Sequence, residues 1–197
     1  DRIVQMYRHE RVNGWLWFEN YLTYGNSTLP EALLCAYIST GEVLYKNIAK
    51  ESFDFLLTKI FTNGKINVIS NRGWMIKGRV TEMKAGGEQP IDVAYTIMAL
   101  EKFYATFNDK GYNEKAVNAF NWFLGNNHLQ QIVYNPCTGG CYDGLEETYI
   151  NLNQGAESTV SYLMARLTMD NILSLMETAP VAIEKIENSE TARQVCF

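Results

Sequence analysis

Five carboxylates lie in the stretches of this 197-residue chain that are richest in glycine, amide and aromatic side chains. The candidates for acid–base catalysis are Glu157, Asp92, Asp143 and Glu88, and Glu19 is a binding candidate. Glycoside hydrolysis needs such a pair, because one acid protonates the leaving oxygen while a second carboxylate acts as base or nucleophile. A stabilising charge at a helix start remains the structural alternative for Glu88, Asp92 and Glu157, and an ordinary turn for Asp143.

Polar and aromatic side chains beside these carboxylates are of the kinds that hold sugars. Asparagine and glutamine both donate to hydroxyl groups and accept from them, arginine grips carboxylates through two hydrogen bonds, and aromatic rings offer flat apolar faces. Three candidates keep a structural alternative: Arg72 as a pin for Glu88 or Asp92, Trp74 as a core aromatic, and Asn153 as a helix cap. The predicted substrate-binding residues are Glu19, Tyr24, Asn71, Arg72, Trp74, Gln89, Asn153 and Gln154.

The longest of these stretches is a loop over residues 134–155, which runs into a predicted helix start at Ala156. Loops of more than about 12–15 residues in a compact domain are usually functional or disordered. Tyr134, Tyr142, Leu145 and Tyr149 interrupt its polar residues, which favours an ordered loop. We therefore predict that it forms one wall of a polar cleft, with a purely structural loop as the alternative.

Composition narrows the classes of function. The chain is 47% hydrophobic, which is enough for one domain with a core, and its net charge of −5 argues against nucleic acid as a partner. No apolar run approaches the roughly 20 residues of a membrane span. Two histidines and four scattered cysteines predict no metal site, and we expect no cofactor. Cys137 and Cys141 leave a local disulfide open, and the cysteine usage favours the cytoplasm.

The elements that position these residues are predicted to be all-α, as antiparallel helical hairpins. After a first helix over residues 1–11, we predict helices over about 28–40, 42–59, 88–107, 113–124 and 156–176. Short turns end the hairpins near Gly41 and at residues 108–111. A repeat supports this pairing, because five residues recur 67 positions later: Tyr45, Ala49, Phe53, Phe55 and Leu57 as Tyr112, Ala116, Phe120, Trp122 and Leu124.

The repeat also predicts where the candidate residues meet. Each unit is a helix, a short turn, a helix and a long polar connector, so all long connectors lie at one end of the stack. The starts of the first helices, which carry Glu31, Asp92 and Glu157, lie at that end too. We therefore expect three connectors to converge on one cleft, and we expect the short turns at the opposite end to be structural.

Four stretches carry a resemblance to a known family: residues 17–24, 71–74, 88–92 and 139–159. In this order and spacing they resemble the helical (α/α) toroid region, six-hairpin and glycosidase-like, that is associated with bacterial and archaeal group 1 type glycosyltransferases. The resemblance covers roughly residues 1–170. It implies a carbohydrate ligand, and as partner either a glycosyltransferase catalytic domain or a second copy that completes the toroid.

The resemblance also has a consequence for domain organisation. A full toroid has six hairpins, whereas this chain has about three, and no strand–glycine-rich–helix pattern of a nucleotide-sugar-binding domain is present. We expect residues 1–178 to form part or half of a larger toroid, and residues 179–197 to be a C-terminal extension. Transferase activity is not assigned to these residues themselves.

Two classes of function remain open, and with them whether the chain is an enzyme. In the first, it is a carbohydrate-active or carbohydrate-binding domain, with Glu157 and Asp92 as leading acid and base if it is catalytic. In the second, it is a non-catalytic helical-repeat module for partner binding, which an exposed apolar face would indicate. An isomerase or epimerase on a similar toroid is a further alternative, although such enzymes use histidines and only His9 and His128 are present.

Overall fold

The computed structural model describes residues 1–79 and 85–174. The predicted extension over residues 179–197 and the last four residues of the predicted domain, 175–178, lie outside the described residues. The prediction of a mostly helical chain is confirmed. The described residues form six helices: α1 Arg2–Glu10, α2 Thr28–Thr40, α3 Val43–Ile60, α4 Pro90–Phe107, α5 Lys110–Phe120 and α6 over residues 156–174.

The same two-residue turn closes both helical hairpins. Gly41 ends α2 and Asn108 ends α4, each in the left-handed conformation with φ of 75° and 52°, respectively. This conformation satisfies carbonyl groups at the end of a helix. Glu42 and Asp109 follow, and each side chain accepts a hydrogen bond from a backbone N–H two residues later, which caps the next helix. The turns therefore reverse the chain within two residues.

The sequence repeat is kept in the structure. The first residues of α3 and α5 are 67 positions apart (110 − 43 = 67), which equals the offset of the recurring residues. Helix α5 begins three residues before the predicted start at Asn113, because Asp109 caps it there. It ends at Phe120 instead of the predicted Leu124, since the chain turns back toward the connector.

The core lies between the two hairpins. Helix α2 packs on α3 and on α4, and α4 packs on α5. Phe53 of α3 and Phe103 of α4 have ring centroids 4.1 Å apart at its centre. Tyr162 of α6 stacks on Phe120 and on Tyr134, which joins α6 to the end of α5. The largest aromatic side chains are therefore used to pack helices together.

Three short antiparallel ladders occur within the connectors, where sequence analysis predicts no strand. Two-residue strands carry little signal in a sequence, and they are stable only where packing supports them. The three ladders pair β1 Tyr21–Leu22 with β4 Met75–Ile76, β2 Phe61–Thr62 with β3 Lys65–Ile66, and β5 Gly144–Leu145 with β6 Ile150–Asn151.

None of the described helices is long and apolar enough to cross a membrane.

Backbone pairing joins the three connectors to one another. The β1–β4 ladder links the first connector, residues 11–27, to the second, residues 61–89. Glu88 and Leu145 exchange two backbone hydrogen bonds of 3.1 and 3.0 Å, which link the second connector to the third, residues 121–155. The connectors therefore meet near the starts of α2, α4 and α6, where the candidate residues lie.

Candidate functional site

Two neighbouring pockets flank the start of α4 at this connector end. We call the first the aromatic pocket; its volume is about 470 Å³, and it is lined by Glu19, Tyr21, Thr23, Tyr24, Gly25, Thr28, Trp74, Ile91 and Tyr95. We call the second the acidic pocket; its volume is about 360 Å³, and its lining includes Asn71, Glu88, Gln89, Asp143, Glu146, Asn151, Glu157 and Ser158. Gln89 and Ile91, two residues apart in sequence, line one pocket each.

The aromatic pocket brings together three predicted binding residues: Glu19, Tyr24 and Trp74. The β1–β4 ladder places Tyr21 beside Trp74, with ring centroids 5.4 Å apart and planes inclined by 34°. Trp74 is 50% exposed and Tyr24 is 70% exposed. Together with Tyr149, these are the exposed aromatic side chains among the described residues, so their rings are available to a ligand.

Glu19 contributes the carboxylate of the aromatic pocket. Its Oε1 atom accepts only a long hydrogen bond of 3.5 Å from the Tyr21 hydroxyl group. Its backbone carbonyl accepts a bond of 2.7 Å from the Trp15 indole nitrogen, which holds the connector in place. Within residues 1–79 and 85–174, no lysine, arginine or histidine lies within ion-pair distance of Glu19. Its charge is therefore uncompensated by the described part of the chain.

Asp143 in the acidic pocket anchors the start of α6. Its Oδ1 atom accepts hydrogen bonds of 2.8 Å from the Gly155 backbone N–H and from the Ser158 hydroxyl group. Its Oδ2 atom accepts from the side chain of Asn153, another predicted binding residue. Burial raises the pKa of Asp143, but the bonds from Asn153, Ser158 and Gly155 outweigh burial and lower the pKa below its ordinary value. Asp143 is thus an ionised cap.

Glu88 is buried between an indole and an imidazole. Trp122 donates from Nε1 to Oε2 at 2.7 Å, and His128 Nδ1 lies 2.8 Å from Oε1. His128 Nε2 lies 2.9 Å from the Glu146 carbonyl oxygen, which can only accept, so Nε2 carries a hydrogen. Burial raises the pKa of Glu88, and the bonds from Trp122 and the charge of His128 oppose that rise. His128 Nδ1 therefore lies at ion-pair distance from the buried Glu88 carboxylate, without a hydrogen bond of good geometry.

Asp92 faces a different cavity from the other catalytic candidates. It is 6% exposed, lies against a small cavity with Asn26, Ser27 and Thr96, and accepts a 2.5 Å bond from the Gly25 backbone N–H. Burial raises its pKa to about 6; the Gly25 bond lowers the pKa, and the Glu157 charge raises it. Asp92 and Glu157 are thus electrostatically coupled although they line separate cavities.

Glu157 is the exposed carboxylate of the acidic pocket. It is the second residue of α6 and lies where the helix dipole favours a negative charge. Among the described residues, none forms a hydrogen bond or an ion pair with its side chain. Glu157 is therefore available to a ligand, whereas Glu88 and Asp143 in the same pocket are already engaged.

The remaining predicted binding residues are divided between the acidic pocket and its surroundings. Asn71 and Gln89 line the pocket. Arg72 forms an ion pair with Glu146, a lining residue, and not with Glu88 or Asp92 as its structural alternative proposes. Gln154 accepts a hydrogen bond of 2.7 Å from the Thr138 hydroxyl group and packs over a glycine instead of lining either pocket.

Five residues of the site escape sequence analysis: Tyr21, Tyr95, Trp122, His128 and Glu146. Tyr21 and Tyr95 had a detectable signal, since Tyr21 lies inside the 17–24 motif and Tyr95 is one helical turn after Ile91. Trp122 is fully buried, and its indole N–H donates a hydrogen bond to Glu88. His128 is a lone histidine in a loop, and only the fold brings it to Glu88.

Gly144 makes the close approach of two connectors possible. Its φ is +151°, and a Cβ atom at this position would lie 2.2 Å from the Glu88 carbonyl oxygen. Any larger residue would push apart the backbone pairing of Glu88 and Leu145, which positions one wall of the acidic pocket. The ordinary turn left open for Asp143 and Gly144 is not formed, because Gly144 begins strand β5.

The described residues offer acid–base groups, aromatic rings and amides. No three of their His, Cys, Asp and Glu side chains form a group that could hold a metal ion. Cys137 is exposed and Cys141 is buried, and both are free, so the local disulfide left open by the sequence is not formed. Neither a scan against protein-family models nor a search of curated proteins found a match to this chain.

Proposed function

We propose that this chain is a carbohydrate-active or carbohydrate-binding helical domain, part of an (α/α) toroid, with its ligand over the aromatic and acidic pockets. The observation that carries the proposal is the exposure of Trp74 and Tyr24 directly beside a pocket of carboxylates and amides. A sugar presents apolar C–H faces and a rim of hydroxyl groups. Aromatic rings suit the faces, while carboxylates and amides suit the hydroxyl groups.

Pocket size and position are consistent with a ligand of more than one sugar ring. Volumes of about 470 and 360 Å³ each fall within the roughly 300–1,000 Å³ that is typical of ligand sites. Because Gln89 lines one pocket and Ile91 the other, a chain of linked rings can extend across the start of α4. The aromatic pocket would hold one ring by stacking and the acidic pocket would hold the next by hydrogen bonds.

If the domain cleaves glycosidic bonds, the acidic pocket favours Glu88 as acid and Glu157 as base. Glu88 is buried, and burial raises its pKa, which suits a general acid. Glu157 is exposed and lacks a partner among the described residues, which suits a base or nucleophile. Asp92, with a pKa near 6, remains the alternative acid because its charge is coupled to that of Glu157.

The experiment that tests this proposal is calorimetric titration of the full chain with short gluco- and manno-oligosaccharides. We expect binding that Trp74→Ala and Tyr24→Ala each weaken. Tyr149→Ala is the matched control, because Tyr149 is 58% exposed and lines neither pocket. The proposal would be overturned if the folded chain bound none of these sugars. It would also be overturned if Tyr149→Ala weakened binding as much as Trp74→Ala and Tyr24→Ala do.

A second function, docking of a helical partner, is favoured by one surface of α6. Val160, Leu163 and Leu167 are 52%, 49% and 65% exposed, and their spacing of three and seven residues places them on one face. Tyr162 and Met169 on the opposite face are buried. A helix that is apolar on both faces is typical of a protein interior, so this face suits a transferase domain or a second copy of the chain.

The test of the docking function is the mass of the chain in solution. Light scattering after gel filtration should show an assembly that Leu167→Glu disrupts. Leu152→Glu is the control, because Leu152 is 68% exposed in the third connector and lies outside α6. A monomeric wild type that also fails to bind a separately supplied group 1 type transferase domain would exclude this second function.

A further inference from the structure

We propose that the sugar held at the aromatic pocket carries a positively charged amino group, as a 2-amino-2-deoxy sugar does. The inference rests on the proposed function and names the class of sugar. It comes from one juxtaposition: four aromatic residues and a carboxylate without a cationic partner line a single pocket. The residues are Tyr21, Tyr24, Trp74, Tyr95 and Glu19.

The rings supply the first part of the argument. The face of an aromatic ring is electronegative, so an ammonium group over Trp or Tyr is attracted to it. Trp74 and Tyr21 lie with centroids 5.4 Å apart, and Trp74 and Tyr24 are at least half exposed. Their faces are thus neither covered by packing nor occupied by a cationic side chain, since none of the cation–ring contacts among the described residues involves them.

Glu19 supplies the second part. A carboxylate beside aromatic rings completes the usual surroundings of a bound ammonium group, because it provides the opposite charge at hydrogen-bond distance. Within the described part of the chain, Glu19 receives only the long bond from Tyr21, so it keeps its capacity to accept. An uncharged sugar would leave this charge without a counterpart, whereas an amino sugar supplies one.

The charges of the acidic pocket also favour a positively charged ligand. The described residues that line the two pockets include five carboxylates and neither lysine nor arginine. His128 compensates Glu88 and Arg72 compensates Glu146, which leaves three negative charges facing the ligand (5 − 2 = 3). A uronic acid, or a phosphorylated or sulfated sugar, would be repelled by these charges, and an amino sugar would be attracted.

The volume of the aromatic pocket favours an amino sugar over a simple cation as its ligand. A pocket of about 470 Å³ with exposed rings would remain largely empty around a metal ion or a small amine. A pyranose ring with an amino group suits it better, because the ring can cover an aromatic face while the amino group meets Glu19. Stacking and charge are then satisfied by one ligand.

The test uses three tetrasaccharides that differ only at one substituent: a glucosamine tetramer, its N-acetylated form and the β-1,4-linked glucose tetramer. Calorimetry with the full chain should give about tenfold tighter binding of the glucosamine tetramer than of the N-acetylated form. Raising the salt concentration should reduce this difference, since it arises from charge. Spermidine, a cation without a sugar ring, is the fourth ligand.

Three variants test which carboxylate causes the preference for the amine. Glu19→Gln keeps the shape of the side chain and should reduce the preference for the amine to less than about threefold. Glu114→Gln makes the same change on an exposed residue of α5 and should leave the preference intact. Glu157→Gln, at an exposed helix position, provides a second removal of charge should Glu19→Gln fail to fold; it should also lower the preference.

Each result has one meaning. A preference for the amine that falls in Glu19→Gln supports the inference, and one that persists in a folded Glu19→Gln overturns it; Glu157→Gln decides only if Glu19→Gln does not fold. Binding of the N-acetylated or glucose tetramer as tightly as the amine overturns the inference and leaves the proposed function standing. Binding of spermidine as tightly as the glucosamine tetramer also overturns it, because charge alone would then be recognised. Failure of all sugars to bind overturns the proposed function itself.

Discussion

His128 Nδ1 lies 2.8 Å from Glu88 Oε1, and the other nitrogen of the same ring faces the Glu146 carbonyl oxygen. Both ring nitrogens thus face oxygen atoms, and Nε2 carries a hydrogen because the carbonyl oxygen can only accept. The pair joins Glu88 of the second connector to His128 of the third. Its two members are 40 residues apart in sequence (128 − 88 = 40).

We predict that His128→Ala destabilises the protein by about 3 kcal/mol at pH 7, because the buried Glu88 carboxylate loses its compensating charge. Adding Glu88→Gln to His128→Ala should recover most of this loss, since the neutral amide needs no counter-ion. Urea unfolding of the two single variants and the double variant measures both effects. His9→Ala is the control, because the His9 side chain is 84% exposed. If the double variant lost as much unfolding free energy as the two single variants together, the pairing of Glu88 with His128 would be contradicted.

We predict that Asp92 makes the protein less stable as the pH rises from about 4 to 7. Burial raises its folded pKa from 3.8 to about 6, so between these values the folded state binds more protons than the unfolded state. Stability therefore falls as pH rises through this window, by up to about 3 kcal/mol. Asp92→Asn removes this dependence. From pH 4 to pH 7, the unfolding free energy of the wild type should fall relative to that of Asp92→Asn.

The same series gives the opposite outcome for a different role of Asp92. If the fold instead stabilised the ionised Asp92 carboxylate, the unfolding free energy of the wild type would rise relative to that of Asp92→Asn as the pH rises. Asparagine can still accept the Gly25 hydrogen bond, so loss of that bond does not confuse the comparison. Two-dimensional NMR of the carboxyl carbon would give the pKa directly.

We predict that Asp143→Ala destabilises the protein by about 1–2 kcal/mol by removing the cap of α6. Asp143→Asn should cost less, because the amide oxygen can still accept from Gly155 and Ser158. Since the folded pKa of Asp143 is lowered, its contribution is present above the ordinary value of 3.8 and is lost as the pH falls through the folded pKa. Thermal unfolding and hydrogen exchange in the first turn of α6 measure the change.

We predict that sugar binding changes the fluorescence of Trp74 more than that of any other tryptophan. Trp74 is 50% exposed, Trp17 and Trp122 are fully buried, and Trp15 is partly buried. Bound sugar would exclude water from the Trp74 ring, so emission should shift toward shorter wavelength. Trp74→Phe should abolish the shift and weaken binding by roughly threefold to tenfold, since a smaller ring remains. A shift that persists in Trp74→Phe would place the sugar elsewhere.

Much of the fold was predictable because its signals are local. The helical hairpins follow from apolar spacing and from the turn residues at Gly41 and Asn108, which lie within a few positions of the helices they end. The repeat of 67 residues predicted that the connectors meet at one end, and this placed Glu88, Asp143 and Glu157 in one region. The two-residue strands were missed because pairing between distant connectors leaves no pattern within either strand.

The sequence by itself determined the helices, the end of the molecule that carries the polar residues, and most of the candidates for binding. The tertiary structure alone decided how these residues divide: Glu157 free in the acidic pocket, Asp143 engaged as a cap, and Asp92 turned to another cavity. The physical reason is that helix formation depends on neighbours in sequence, whereas burial, charge compensation and hydrogen bonding depend on residues brought together by the fold. His128 shows this most clearly, because its role exists only beside Glu88.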